Sequence, residues 1–206
     1  MDAYTEVTLQ TQTLAMTAFT ISLEPIIHMT DEQFYQLCQA NPDVKFERNA
    51  AGELIIMAPT GGETGSYNAE IVAEFVIWNR QTRLGKVFDS STCFKLLKGG
   101  DRSPDVSWVA VERWNGLSLE QQRKFPPIAP DFVLELLSPA DSLEKTQAKM
   151  QEYTDNGVRL GWLIDRDHRY VEIYRVNQSV EALTNPEQLL GEGVLPGFLL
   201  DMSLVW

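Results

Sequence analysis

Cysteine is nearly absent: Cys38 and Cys93 are the only two in 206 residues. They stand far apart in the chain, with no CxxC pair and no neighbouring histidine, which excludes a zinc-finger framework or a disulfide scaffold. Histidine is equally scarce, and the isolated His28 and His168 offer no basis for a histidine-centred triad. Long hydrophobic runs are also missing. No stretch approaches the roughly 18 to 20 apolar residues of a membrane span, and Asp2 and Glu6 occupy the place where a signal peptide carries positive charge. The expectation is a soluble cytoplasmic protein with no membrane partner.

Positive charge is in deficit as well, with 17 Lys and Arg against 29 Asp and Glu and a net charge of -12. A broad nucleic-acid interface of the phosphate-neutralising kind is therefore not expected. The distribution is uneven. Residues 1–78 hold eleven acids and two bases, residues 79–140 seven and nine, and residues 141–206 eleven and six. The one basic stretch allows either a local basic surface or a solvated face without a partner.

What the chain does have is 44% hydrophobic residues, enough for one compact domain. Residues 1–17 read as a tail, followed by a strand near 18–23. Thr30 and Gln33 have capping-box spacing before a helix to about Ala40. Two strands, Val44–Arg48 and Glu53–Met57, flank the turn Asn49-Ala50-Ala51-Gly52. Pro59–Gly65 lacks the GK[ST] ending of a phosphate-binding loop and reads as a flexible lead-in to a helix from about Tyr67 to Thr82. Strands follow near 86–89, 92–97 and 105–111. A polar excursion over 112–130 includes a short helix around Ser118–Lys124. Residues 131–137 form a strand apolar enough to be buried on both faces. Asp141 and Glu144 suggest a second capping box, opening a helix that stops near Asn156-Gly157. Strands at 159–164 and 170–176 complete a strand, helix, strand crossover.

Glu135 stands inside the run Phe132-Val133-Leu134-Glu135-Leu136-Leu137. Burying a carboxylate there costs several kcal/mol, on the order of the transfer penalty for a charge, unless a cation compensates it. Asp105 opens another apolar strand. If the two strands are neighbours, the carboxylates converge on one hard cation, Mg²⁺ or Mn²⁺ rather than zinc. The structural alternative pairs Glu135 with Arg102 or Arg159 and makes Asp105 a turn cap after Pro104. On the following helix, Lys145, Lys149 and Tyr153 share one stripe at i, i+4 and i+8. A lysine there is either solvated or reaches the carboxylates.

The order Pro104-Asp105, Glu135-Leu136-Leu137-Ser138-Pro139, Lys149-Met150-Gln151-Glu152-Tyr153, Asn156-Gly157-Val158 and Trp162-Leu163-Ile164-Asp165 resembles the Uma-two family of endonucleases. Arg48, Gly52, Met57 and Pro59 resemble its N-terminal part. The resemblance implies an α/β fold of the restriction-endonuclease-like PD-(D/E)XK superfamily, a central mixed sheet flanked by helices, over residues 25–206, after a tail and first strand in 1–24. It implies that Asp105 and Glu135 bind the metal. The superfamily lysine two positions after the second acid is here Leu137, so Lys149 is the expected substitute, with Tyr153 beside it and Lys95 as a weaker candidate. A further acid from the first core helix is expected to be Glu70, or failing that Glu63.

The implied function is Mg²⁺- or Mn²⁺-dependent hydrolysis of nucleic acid, DNA being the expected substrate. Leu137 and the acidic N-terminal third keep a second reading open, an inactive nuclease fold that binds nucleic acid or protein. A hydrolase of another phosphate ester is the third. Leu204, Val205 and Trp206 form an apolar C-terminus that would dock on its own chain or on a second copy, so a homodimer is also open.

Overall fold

The apolar run 132–137 becomes a strand with its first five residues buried. Its alternating side chains enter two different cores, so it is covered from both sides as its composition implies. Phe132, Leu134 and Leu136 join one core; Val133 joins the other. A computed structural model describes residues 18–139 and 141–206; the tail expected over 1–17 lies outside them.

The elements run in the order β1 (Ala18–Ile21), α1 (Asp31–Ala40), β2 (Lys45–Arg48), β3 (Leu54–Met57), α2 (Gly62–Thr82), β4 (Gly85–Asp89), β5 (Phe94–Lys95), β6 (Asp101–Arg102) and β7 (Val106–Ala110). Two short helices follow, α3 (Val111–Asn115) and α4 (Leu119–Arg123), then β8 (Phe132–Leu137), α5 (Leu143–Asp155), β9 (Leu160–Asp165), β10 (Tyr170–Arg175), β11 (Glu181–Thr184), β12 (Gln188–Leu190) and β13 (Leu199–Asp201). A 3₁₀ turn, Met202–Leu204, closes the chain.

The central sheet has the order β11-β10-β9-β8-β7-β4. It is mixed: β8 and β9 are parallel and joined through α5, and the other neighbours are antiparallel. On one face, Ile71, Phe75 and Trp78 of α2 meet Phe132, Leu134 and Trp162 of the strands. Phe75 is enclosed by Phe132, Phe198 and Trp162, with ring centroids at 5.0, 4.2 and 6.2 Å. On the other face, Met150 and Tyr153 of α5 cover Val133 and Leu163. A second sheet, ordered β1-β3-β2-β6-β5, carries the expected hairpin, with Lys45 opposite Met57 and Arg48 opposite Leu54.

Several local expectations shift. Helix α2 begins at Gly62 rather than near Tyr67, so most of the glycine-rich lead-in is helical. Thr64 is buried in its first turn, between Gly62 and Gly65, which are poor helix formers. Helix α5 is capped by Ser142, whose side chain accepts from the Lys145 N–H. Asp141 instead accepts from the Ser138 N–H at 2.8 Å, so no Asp141–Glu144 capping box forms. Cys38 and Cys93 join the same small apolar cluster around Phe34, and burial pushes the Cys38 thiol up to about 11. Of the apolar C-terminal residues, Val205 is fully buried and Trp206 packs against the α2-side core, while Leu204 stays exposed.

Candidate functional site

The antiparallel register of β7 and β8 pairs Val106 with Leu134 and Ser107 with Val133. One step further along the same register sets Asp105 opposite Glu135. Asp105 follows Pro104, which favours an extended residue before it and has no N–H to contribute. Its Oδ2 accepts from the Leu136 N–H at 2.9 Å, fixing it to the backbone just beyond Glu135. Its Oδ1 has only a long contact, 3.5 Å, from Nδ2 of Asn68 on α2. The other amide atom, Asn68 Oδ1, is buried with no hydrogen-bond partner among the described residues. Burial pushes the Asp105 carboxyl above its usual range, although the Leu136 N–H and Lys149 act in the opposite direction.

Helix α5 supplies the counter-charge. Lys149 Nζ lies 2.9 Å from Oε1 and 3.0 Å from Oε2 of Glu135. The Tyr153 hydroxyl donates to Oε1 at 2.9 Å. Both come from the i, i+4 stripe, while Lys145 at its other end is exposed. Burial raises the Glu135 carboxyl; Lys149 opposes this, but the nearby Asp105 and Glu47 charges add to it, and the result is about 7. Burial alone would lower the Lys149 ammonium, yet Glu135 and Glu47 hold it above its ordinary value. Lys149 therefore stays protonated, a cation and not a neutral base. Tyr153, driven upward chiefly by burial, remains a hydroxyl donor.

Glu47 escaped the sequence reading. It lies on β2, in the second sheet, and is 1% exposed. Its Oε1 receives Lys149 Nζ at 3.1 Å and the Ser103 N–H at 3.0 Å, and its Oε2 receives Arg102 Nη1 at 3.0 Å. Burial works against its charge, but Lys149, Arg102 and Ser103 prevail and hold the carboxyl down at about 2. The other edge of Arg102 grips Glu152 of α5, Nε to Oε1 at 3.0 Å and Nη2 to Oε2 at 2.6 Å. The network thus ties the second sheet to the helix that carries Lys149.

Other expected contributors lie elsewhere. Arg102 serves Glu47 and Glu152, and Arg159 faces Asp131 at 3.5 Å, so neither arginine pairs with Glu135. Lys95 binds Asp31. Glu70 is exposed, because α2 turns its Ile71, Phe75 and Trp78 face to the sheet. Asn68, two residues earlier, is the α2 residue that reaches Asp105. Glu63 is exposed and meets Arg166 at 3.3 Å. Leu137 packs against the α5-side core, so the position of the superfamily lysine is filled by an apolar contact.

Among the described residues no group of three or more His, Cys, Asp or Glu side chains is arranged to hold a metal ion. The local donor set is two carboxylates, Asp105 and Glu135, and the orphaned amide oxygen of Asn68. An all-oxygen set with surplus negative charge and an unsatisfied acceptor suits a hard divalent cation. The residues present fit such an ion.

Comparison with known proteins bears on the family and the fold. The family model Uma2, described as "Putative restriction endonuclease", matches residues 31–203. A crystal structure of a "putative nuclease belonging to DUF820" from Anabaena variabilis ATCC 29413 is similar, with a TM-score of 0.66 and 22% identity. The match covers 78% of this chain and 88% of that one. No curated protein matches. The fold is the mixed α/β, restriction-endonuclease-like one expected from the sequence. By its match over residues 31–203, the chain belongs to the Uma2 family.

Proposed function

We propose that this protein is a metal-dependent endonuclease that hydrolyses nucleic-acid phosphodiester bonds, with DNA as the substrate and Mg²⁺ or Mn²⁺ held by Asp105 and Glu135. The activity is assigned to one domain spanning residues 25–206. The observation that carries the reading is Lys149: a buried ammonium 2.9 Å from Glu135 supplies from α5 the cation that Leu137 lacks.

The ion, when bound, would polarise the phosphodiester and make a bound water more acidic. The chain's own residues do the rest. Lys149, held protonated, donates hydrogen bonds and offsets the charge that grows on phosphate oxygens in the transition state. Tyr153 fixes one oxygen of Glu135, and the Leu136 N–H fixes one oxygen of Asp105. Both carboxylates are thereby oriented before any ligand arrives, which lowers the reorganisation needed for catalysis.

A second reading, a nuclease fold that binds without cutting, draws on one observation: Lys149 and Tyr153 already compensate Glu135. Incubation with single-stranded, double-stranded and branched DNA, with Mg²⁺, Mn²⁺ or a chelator, separates the two. The endonuclease cleaves at least one form only with the metal, and Asp105→Ala and Glu135→Ala abolish cleavage. Binding to DNA with no cleavage under any of these conditions selects the second reading.

A further inference from the structure

Lys149 lies between two carboxylates that differ in how they are held. Glu47 is gripped at both oxygens: Ser103 N–H on Oε1, and on Oε2 an Arg102 that is itself clamped to Glu152. It has no freedom to follow a moving partner. Glu135 is anchored by the Tyr153 hydroxyl on Oε1 and otherwise depends on Lys149. Lys149 itself ends a long, flexible stem and is 13% exposed at its side chain. Of the three groups, the ammonium is the one able to shift. It bridges the two anions, 3.1 Å from Glu47 and 2.9 Å from Glu135.

A divalent cation at Asp105 and Glu135 would compete with Lys149 for the same Glu135 oxygens. An ammonium left without an anion in a buried site is costly, and a strong competitor for any carboxylate within reach. We propose that Glu47 is the positioning residue for Lys149: the fixed carboxylate that keeps the ammonium beside the site and takes over its charge when Glu135 is engaged by a metal ion. This rests on the endonuclease reading above. It goes beyond that reading by assigning Glu47, on a different sheet, a role that acts through Lys149 and not on the metal.

The consequence is a coupling between two side chains. Without the Glu47 charge, Lys149 has only Glu135 as a counter-ion and holds it more tightly against an incoming cation. Without Lys149, Glu47 has no ammonium to receive and should matter little to metal affinity.

Mn²⁺ binding to the full-length protein, measured by isothermal titration and by loss of the free-ion electron paramagnetic resonance signal, tests this on the wild type, Glu47→Gln, Lys149→Met and the double variant. The expected result is that Glu47→Gln weakens Mn²⁺ binding roughly three- to tenfold, in the lower part of the range of coupling between groups in contact. Lys149→Met tightens it, and adding Glu47→Gln to Lys149→Met changes it by less than about twofold. Equal weakening by Glu47→Gln with and without Lys149 would overturn the proposal, because Glu47 would then be acting directly through space. So would unchanged affinity in Glu47→Gln. Should Glu47→Gln fail to fold, Glu47→Asp makes the same comparison: it keeps the charge but draws it back by one methylene from Lys149, and it should weaken binding in the same Lys149-dependent way. Failure of the underlying reading is distinct. It would appear as Mn²⁺ binding by the wild type that is absent, or that survives Asp105→Ala and Glu135→Ala, and it would overturn both proposals.

Discussion

Lys149 and Glu135 are fourteen positions apart in the chain and 2.9 Å apart in space. The crossover β8-α5-β9 makes this meeting possible, since α5 returns over the strand that carries Glu135 and its stripe of Lys149 and Tyr153 faces down onto it. The carboxylate, burdened by burial, and the ammonium, raised by two anions, form the centre of the site.

Lys149→Met should keep the fold's shape and remove the cation. Cleavage is expected to fall about 10²- to 10³-fold, the usual cost of losing one preorganised group that stabilises transition-state charge. Single-turnover rates on the best DNA substrate, with circular dichroism to verify folding, check this; a variant that cuts as fast as the wild type rules out a catalytic part for Lys149.

Arg102→Met removes one counter-charge from each of two carboxylates, the buried Glu47, which keeps Lys149, and the half-buried Glu152. Breaking a buried ion pair by removing one partner costs about 3–5 kcal/mol. Arg102→Lys should recover little, since one ammonium cannot reproduce the planar fork that spans both acids. Urea denaturation midpoints of the three proteins measure the effect.

The Glu47 carboxyl lies at about 2 in the fold, against an ordinary value of 4.5. A carboxyl depressed by folding stabilises the native state at pH above its unfolded value and loses that contribution as the pH falls toward its folded one. Between pH 5 and pH 3 the wild type should therefore lose about 2 kcal/mol more stability than Glu47→Gln. Chemical denaturation of both proteins at the two pH values reads this difference, and parallel losses would contradict it.

Phe75→Ala removes a fully buried ring from the centre of the α2-side core. The expected destabilisation is about 3–5 kcal/mol. Because α2 also carries Asn68 to Asp105, Mn²⁺ affinity should weaken in the same variant, a pairing that thermal unfolding with and without Mn²⁺ detects.

Much of this site could be read from the sequence because local periodicity carries it. A charged residue inside an apolar strand, Glu135, marks itself by its cost, and Lys149 and Tyr153 share a helix stripe. Asp105 follows from its proline and the strand it opens. Glu47 carried no such mark. In Lys45-Phe46-Glu47-Arg48 it alternates like any residue of a half-solvated hairpin, and its burial comes from packing of the second sheet against α5, a long-range relation with no local pattern. Glu70 was the wrong side of the right helix: shifting two positions along α2 moves a side chain more than half a turn around it, and Asn68 has the inward place. The early start of α2 was hidden by Gly61, Gly62 and Gly65, which read locally as loop. The two-residue strands β5 and β6 are too short for periodicity to show, so the division into separate sheets came only from tertiary pairing.

Cleavage of a phosphodiester requires Asp105 and Glu135 to act together with a metal ion. The direct test is the Mg²⁺-supported cleavage rate of a labelled DNA substrate by the wild type, Asp105→Asn and Glu135→Gln, near-isosteric changes that remove one charge each. Metal-dependent cleavage by the wild type is expected, with a loss of at least about 10²-fold in both variants. Cleavage that is unaffected by either substitution, or that persists at full rate in a chelator, would contradict it.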